Sequence, residues 1–202
     1  MKLFYAANSP YVRKVMMVLH ETRQVPLVEL VGASGSPRDP GTMPISQNPL
    51  GKLPTLVRDN GPALYDSRVI CRYLDDLGKG GLYPEGAALW DALTLEATGD
   101  GIADAALLMV YEERERPAPM RDAGWVEGQW SKIARACDIL ESRWMAHLHG
   151  PFDIGQISVL AALGYVDLRH GGRDWRAGRP ALAAWAGKLA ERPSVKATLP
   201  PG

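Results

Sequence analysis

The segment Asn48-Pro49-Leu50-Gly51-Lys52-Leu53-Pro54-Thr55-Leu56, followed by Leu64-Tyr65-Asp66-Ser67, constrains this chain more than any other. Pro54 has no backbone donor, so a strand containing it begins there or runs along a sheet edge. Asp59-Asn60-Gly61 is a tight-turn signal between Leu53 to Arg58 and Ala63 to Tyr65, and predicts a hairpin. Asp66 and Ser67 stand where an N-cap belongs, ahead of a helix predicted for Ser67 to Leu77. A loop, a strand entered through proline, a hairpin and a helix start therefore follow one another. That frame offers main chain for an extended ligand to pair with and a helix N-terminus suited to an anion.

The elements on either side extend the pattern. Lys2 to Ala6 reads as a strand, and Pro10 suits the first turn of a helix carrying Val12, Val15, Met16, Val18 and Leu19. Pro26 to Val31 predicts a second strand, and Gly32 to Gly51, with repeated Gly, Ser and Pro, a long loop. Residues 1–78 thus read β-α-β and then β-β-α. The run Gly78 to Gly86 is the clearest break in composition and sets a linker at residues 79–86. Residues 87–202 carry helical periodicity only, in helices from Ala87 to about Arg116, Asp122 to about His149, Ile154 to Arg169 and Pro180 to Glu191. Gly99 and Gly101 weaken the middle of the first, and Pro117 and Pro119 end it. Asp153, with Gln156 three residues on, is close to a capping box. The expected fold is α/β followed by all-α.

Composition narrows the classes of function. Of 202 residues, 46% are hydrophobic, which is enough for a core, and Lys+Arg balance Asp+Glu at 23 each. That balance argues against a broad nucleic-acid-binding face. No apolar run approaches the ~18 residues of a membrane span, and Met1 to Tyr5 lead straight into a strand pattern without a secretion signal. Cys71 and Cys137 make neither a disulfide framework nor a metal cluster, and no phosphate loop or His/Cys ligand spacing is present. The expectation is a cytoplasmic protein with no metal, no nucleotide and no membrane partner.

Four segments together, SPYVRKV (9–15), NPLGKLPTL (48–56), LYDSRVICRYL (64–74) and FDIGQISVLAALGYVDLR (152–169), resemble the glutathione transferase family. The likeness runs along nearly the whole chain and is closest to bacterial members with Ser-Pro at the first helix. It implies a thioredoxin-like domain at residues 1–78, an all-helical domain at 87–202 and a homodimer. The implied activity binds glutathione as co-substrate and conjugates it to small electrophilic, mostly apolar compounds. Two other uses of the same fold stand beside this one: a non-catalytic glutathione-binding or protein-interaction module, and a glutathione-dependent peroxidase or isomerase.

The resemblance also assigns residues. The Leu53–Pro54 bond is cis in the family and aims the Leu53 main chain at the ligand's cysteinyl backbone. Ser67 and its N–H hold the γ-glutamyl carboxylate, Asp66 balances the α-ammonium group, and Asp104 occupies the position from which a partner subunit reaches that ammonium. Lys52 approaches the glycyl carboxylate or main chain. Ser9 is the candidate donor to the glutathione thiolate. A thiol ionises near pH 8.5, and one charge-assisted hydrogen bond is worth about 1.5–3 kcal/mol, or about one to two pKa units. Ser9 also suits a helix N-cap, while Tyr5 at the end of the first strand and Asn8 are rival donors. No cysteine lies at residues 8–11, which disfavours thiol-disulfide exchange. Arg13 reads as a surface or interface cation, and Leu107, Leu108, Tyr111 and Trp175 as walls of a second-substrate pocket or as core.

Overall fold

The computed structural model describes residues 1–200. A small sheet has β1 (Lys2–Tyr5) at its centre, parallel to β2 (Glu29–Gly32) and antiparallel to β3 (Thr55–Val57). In this register Leu3 faces Leu30 on one side and Leu56 on the other, and Leu3 and Leu56 are fully buried. The sheet is covered by α1 (Pro10–Glu21) and α2 (Ser67–Gly78), whose Val15, Val18, Leu19, Ile70 and Leu74 join its core. Each such buried side chain contributes on the order of 2 kcal/mol of hydrophobic stabilisation.

Two strand expectations change. The segment beginning at Pro26 opens as a 3₁₀ turn, Val25–Leu27, so pairing starts at Glu29. The hairpin shrinks to one bridge, Leu56 with Leu64, in which each backbone N–H donates to the other's carbonyl. Pro62 has no donor to extend the ladder, and its carbonyl accepts from Arg58 Nε at 3.0 Å.

The remainder is helical: α3 (Ala88–Glu115), α4 (Ala123–Arg143), α5 (Met145–Leu148), α6 (Ile154–Arg169), α7 (Pro180–Leu189) and α8 (Pro193–Lys196). The helix expected to run from Asp122 to His149 breaks at Trp144. By contrast α3 passes through Gly99 and Gly101 without interruption. Gly99 sits where α3 meets α6, and a Cβ there would lie 2.5 Å from the Ser158 carbonyl carbon. Asp153 caps α6 by accepting from Gln156 N–H at 3.1 Å, and its second oxygen lies 2.7 Å from His147 Nε2. α6 also packs along α1, bringing the start of α1 under the helical part. Near the C-terminus, Arg192 grips Glu21 at the end of α1 through bonds of 2.7 and 2.6 Å, and the Ser194 hydroxyl donates to the same carboxylate. Among the described residues no helix is long and apolar enough to cross a membrane.

Candidate functional site

The loop before β3 is shaped from within. Asn48 is 1% exposed, and its amide donates to the Lys52 carbonyl at 3.0 Å and to Thr55 Oγ1 at 3.1 Å. Its carbonyl accepts from Leu50 N–H at 3.1 Å, and the Thr55 hydroxyl donates to the Lys52 carbonyl at 3.0 Å. Gly51, at φ +58°, takes the left-handed turn that this closure requires. Leu53–Pro54 is cis, with Lys52 exposed, Leu53 half-buried and Pro54 buried. Asn48 belongs to the quoted motif, but its structural part was not read from the sequence.

At the start of α2, Asp66 accepts from Arg68 N–H at 3.0 Å and pairs with Arg68 Nη2 at 2.7 Å. Partial burial alone would raise its pKa, and the Arg68 bonds outweigh this and hold the carboxyl below its usual range. Ser67 is buried beside it. Arg68 Nε also lies 3.7 Å from Asp100 Oδ2, which opens a polar chain into the interior. Asp100 accepts from Lys14 Nζ at 2.7 Å and from the Ser158 hydroxyl at 3.2 Å. Lys14, 1% exposed, donates also to Glu96 at 3.2 Å, and Glu96 accepts from the Tyr83 hydroxyl at 3.2 Å. Burial pulls the Lys14 pKa down, and its surroundings, Cys71 and the two carboxylates, more than restore it. Sequence reasoning missed this chain. Its signals were Lys14 one turn before Val18 on an apolar face, and Glu96 with Asp100 at i,i+4 spacing.

Ser9 caps α1: its Oγ accepts from Val12 N–H at 3.4 Å, and the side chain is half-buried. It lines a narrow cleft, with room for about 10 Å³, together with Asn8 and Arg13 and faced by Ala161, Tyr165 and Leu168 of α6. Tyr5, Lys52, Leu53 and Ser67 do not line this cleft. The positive end of α1 and the Arg13 guanidinium both favour an anion there. Arg13 is a correction to the surface expectation, being only 7% exposed. Of the suggested pocket walls, Trp175 is core, 1% exposed and bonded through Nε1 to Asp167 at 2.8 Å. Tyr165, not singled out in the sequence, stands in the cleft instead. Asp104, exposed on α3, accepts a hydrogen bond from Tyr11 of its own chain. Burial, together with that bond, pushes the Tyr11 hydroxyl well above the usual tyrosine range.

A small sheet flanked by helices, an α2 start beside a cis-proline loop, and a helical part closing over α1 define a thioredoxin-like domain joined to an all-helical one. The sequence model of the glutathione S-transferase N-terminal domain matches residues 8–77, and that of the C-terminal domain matches residues 123–187. The chain belongs to the glutathione S-transferase family. It is 30% identical over 205 residues to the uncharacterized GST-like protein YibF of Escherichia coli (strain K12), covering 100% of this chain and 99% of the relative. A glutathione transferase family member from Pseudomonas fluorescens Pf-5, solved with bound glutathione, is 47% identical with a TM-score of 0.96, covering 100% of this chain and 99% of that one. A second structure of a family member from that strain, at 46% identity and a TM-score of 0.91 over 100% of both chains, holds S-(propanoic acid)-glutathione.

Proposed function

We propose that the protein binds glutathione, stabilises its thiolate and conjugates the sulfur to a small electrophile whose body is mostly apolar. The observation that carries this reading is the glutathione held by a relative 47% identical along the whole chain. In this reading the Leu53 main chain pairs with the cysteinyl backbone, Ser67 receives the γ-glutamyl carboxylate at the start of α2, and Asp66 faces the ammonium group. Lys52, exposed at the loop, approaches the glycyl end. Asp104 reaches the ammonium from across a homodimer, and residues 1–78 and 87–202 act as two domains joined by residues 79–86 in a cytoplasmic protein.

Ser9 is the thiolate donor. Its oxygen accepts from the helix at Val12, so its own O–H remains available to the sulfur. A donated bond favours the ionised form, and the α1 N-terminus adds to it. The acceptor approaches from the cleft side of Ser9, toward Tyr165, and the relative solved with S-(propanoic acid)-glutathione supports an S-substituted glutathione as a ligand in this family. Holding the two reactants together contributes several kcal/mol to the rate, on the order of 7 kcal/mol at best alignment.

The test is a calorimetric glutathione titration with ultraviolet detection of thiolate across pH. Saturable binding with a lowered thiol pKa is the expected result. Binding without that shift indicates a glutathione-holding module, and no binding by a folded protein overturns the reading.

A further inference from the structure

Arg13 carries a charge into the contact between α1 and α6 without bringing its partner. The residue is 7% exposed, and its Nε has no hydrogen-bond partner among the described residues. Its guanidinium lies over Gly164 of α6, where a Cβ would fall 1.9 Å from Nη1 and 3.2 Å from the central carbon. Only a residue without a side chain admits it there. Asp167, the carboxylate that acts on Arg13 through space, is committed elsewhere: it binds Arg176 through both oxygens at 2.7 Å and Trp175 Nε1 at 2.8 Å. Burial lowers the Arg13 pKa, yet a guanidinium remains protonated at neutral pH. A buried charge left without a partner is costly.

The cleft that Arg13 lines has room for about 10 Å³, the space of one water-sized guest and too little for a carboxylate or a phosphate. Among the described residues that line it, none is acidic. Ala161, Leu168 and Tyr165 form one wall, and burial raises the Tyr165 pKa, which keeps that hydroxyl neutral. On the other side Ala7 to Pro10 lead into α1, at the positive end of that helix. We propose that this cleft is a binding site for one monatomic anion of chloride size, held by the Arg13 guanidinium. A water there accepts from the guanidinium and leaves its charge in place, whereas a halide meets both needs. Size excludes polyatomic anions, and the apolar wall suits a weakly hydrated ion over a strongly hydrated one. Filling the site neutralises a buried charge in the cleft that Ser9 also lines. Nothing in it depends on glutathione being a ligand.

The experiment follows the broadening of the chloride NMR line by the full chain, in a gluconate background of constant ionic strength. Saturable broadening is expected, displaced by bromide and not by inorganic phosphate. Arg13→Met is expected to abolish it. Arg169→Met is expected to leave it in place, although Arg169, 5.9 Å from the Tyr165 ring, also has a buried Nε without a partner among the described residues. Equal loss in both variants, or loss in neither, overturns the proposal. Chloride at about five times its dissociation constant is expected to raise the unfolding midpoint of the unmodified protein by about 2–4 °C more than that of Arg13→Met, and equal shifts overturn it. A crystal of the unmodified protein grown in bromide gives a reading free of any variant: an anomalous peak is expected within hydrogen-bonding distance of the guanidinium. A water alone at that place overturns the proposal, as does bromide bound at crystal concentration only, without saturable chloride in solution. Saturating glutathione is expected to leave the chloride bound; its displacement gives the cleft to the thiolate and overturns the inference. Failure of glutathione itself to bind is distinguishable, because it touches only the function proposed above.

Discussion

The Asn48 amide donates to the Thr55 hydroxyl at 3.1 Å, tying together the two ends of the loop that presents Leu53 and Pro54. The same amide holds the Lys52 carbonyl, so three residues of the loop depend on one buried side chain. Asn48→Ala is predicted to cost about 2 kcal/mol of stability, because buried polar groups lose their partners. It is also predicted to weaken glutathione binding several-fold, read by urea denaturation and calorimetry on the same preparation. A destabilised variant with unaltered glutathione affinity would separate this loop from the ligand.

Ser9 and Tyr5 are distinguished by the cleft, which Ser9 lines and Tyr5 does not. Ser9→Ala is predicted to raise the pKa of bound thiol by about one unit, the equivalent of one donated hydrogen bond, with little loss of affinity. Thiolate absorbance across a pH series measures it. If Tyr5→Phe produces the rise and Ser9→Ala does not, the donor has been assigned to the wrong residue.

Lys14 holds Glu96 and Asp100 in the interior, so its removal leaves Glu96 without a cation and Asp100 with only Arg68, 3.7 Å away. Lys14→Met is predicted to destabilise the protein by about 3–5 kcal/mol at neutral pH, the usual cost of breaking a buried pair from one side. Adding Glu96→Gln should recover part of the loss, since one uncompensated charge is removed. A cost below about 1 kcal/mol in denaturant unfolding, the value of an exposed pair, contradicts this arrangement.

Glu21 carries the pH dependence of the C-terminal clasp. Partial burial alone would raise its pKa, and the Arg192 and Ser194 bonds outweigh this and leave it lowered on folding. A carboxylate depressed in the folded state contributes stability above its unfolded pKa of about 4.3, and that contribution is lost as pH falls through the folded value. Glu21→Gln is therefore predicted to lower stability by about 1–2 kcal/mol at pH 7 and by much less below about pH 3. Thermal unfolding of both proteins at the two pH values checks it, and a pH-independent difference refutes the assignment.

The helix starts were legible because capping is local. Ser9, Asp66 and Asp153 each accept from a backbone N–H two or three residues ahead, within the reach of a sequence pattern. The hairpin was over-read because Asn60-Gly61 signals a turn and does not measure the ladder beyond it; Pro62 stops that ladder at Leu64. Gly99 was read as a weakness in its helix because its reason lies in α6. The lone glycine marks a close approach to Ser158, which no window around residue 99 contains.

The sequence by itself determined most of the element order and the proline loop and helix start that carry the family likeness, because these depend on turn chemistry, caps and periodicity among near neighbours. The cis bond and the ligand contacts expected of Ser9, Ser67 and Leu53 came from that likeness. Only the tertiary structure decided that Arg13 is buried without a counter-charge, that Lys14 is neutralised by Glu96 and Asp100, and that Tyr165 faces Ser9. The physical reason is that burial and pairing depend on which distant surfaces meet. α1 encounters α3 and α6 only when the chain has closed, and a cation's environment is set by that closure rather than by its neighbours in sequence.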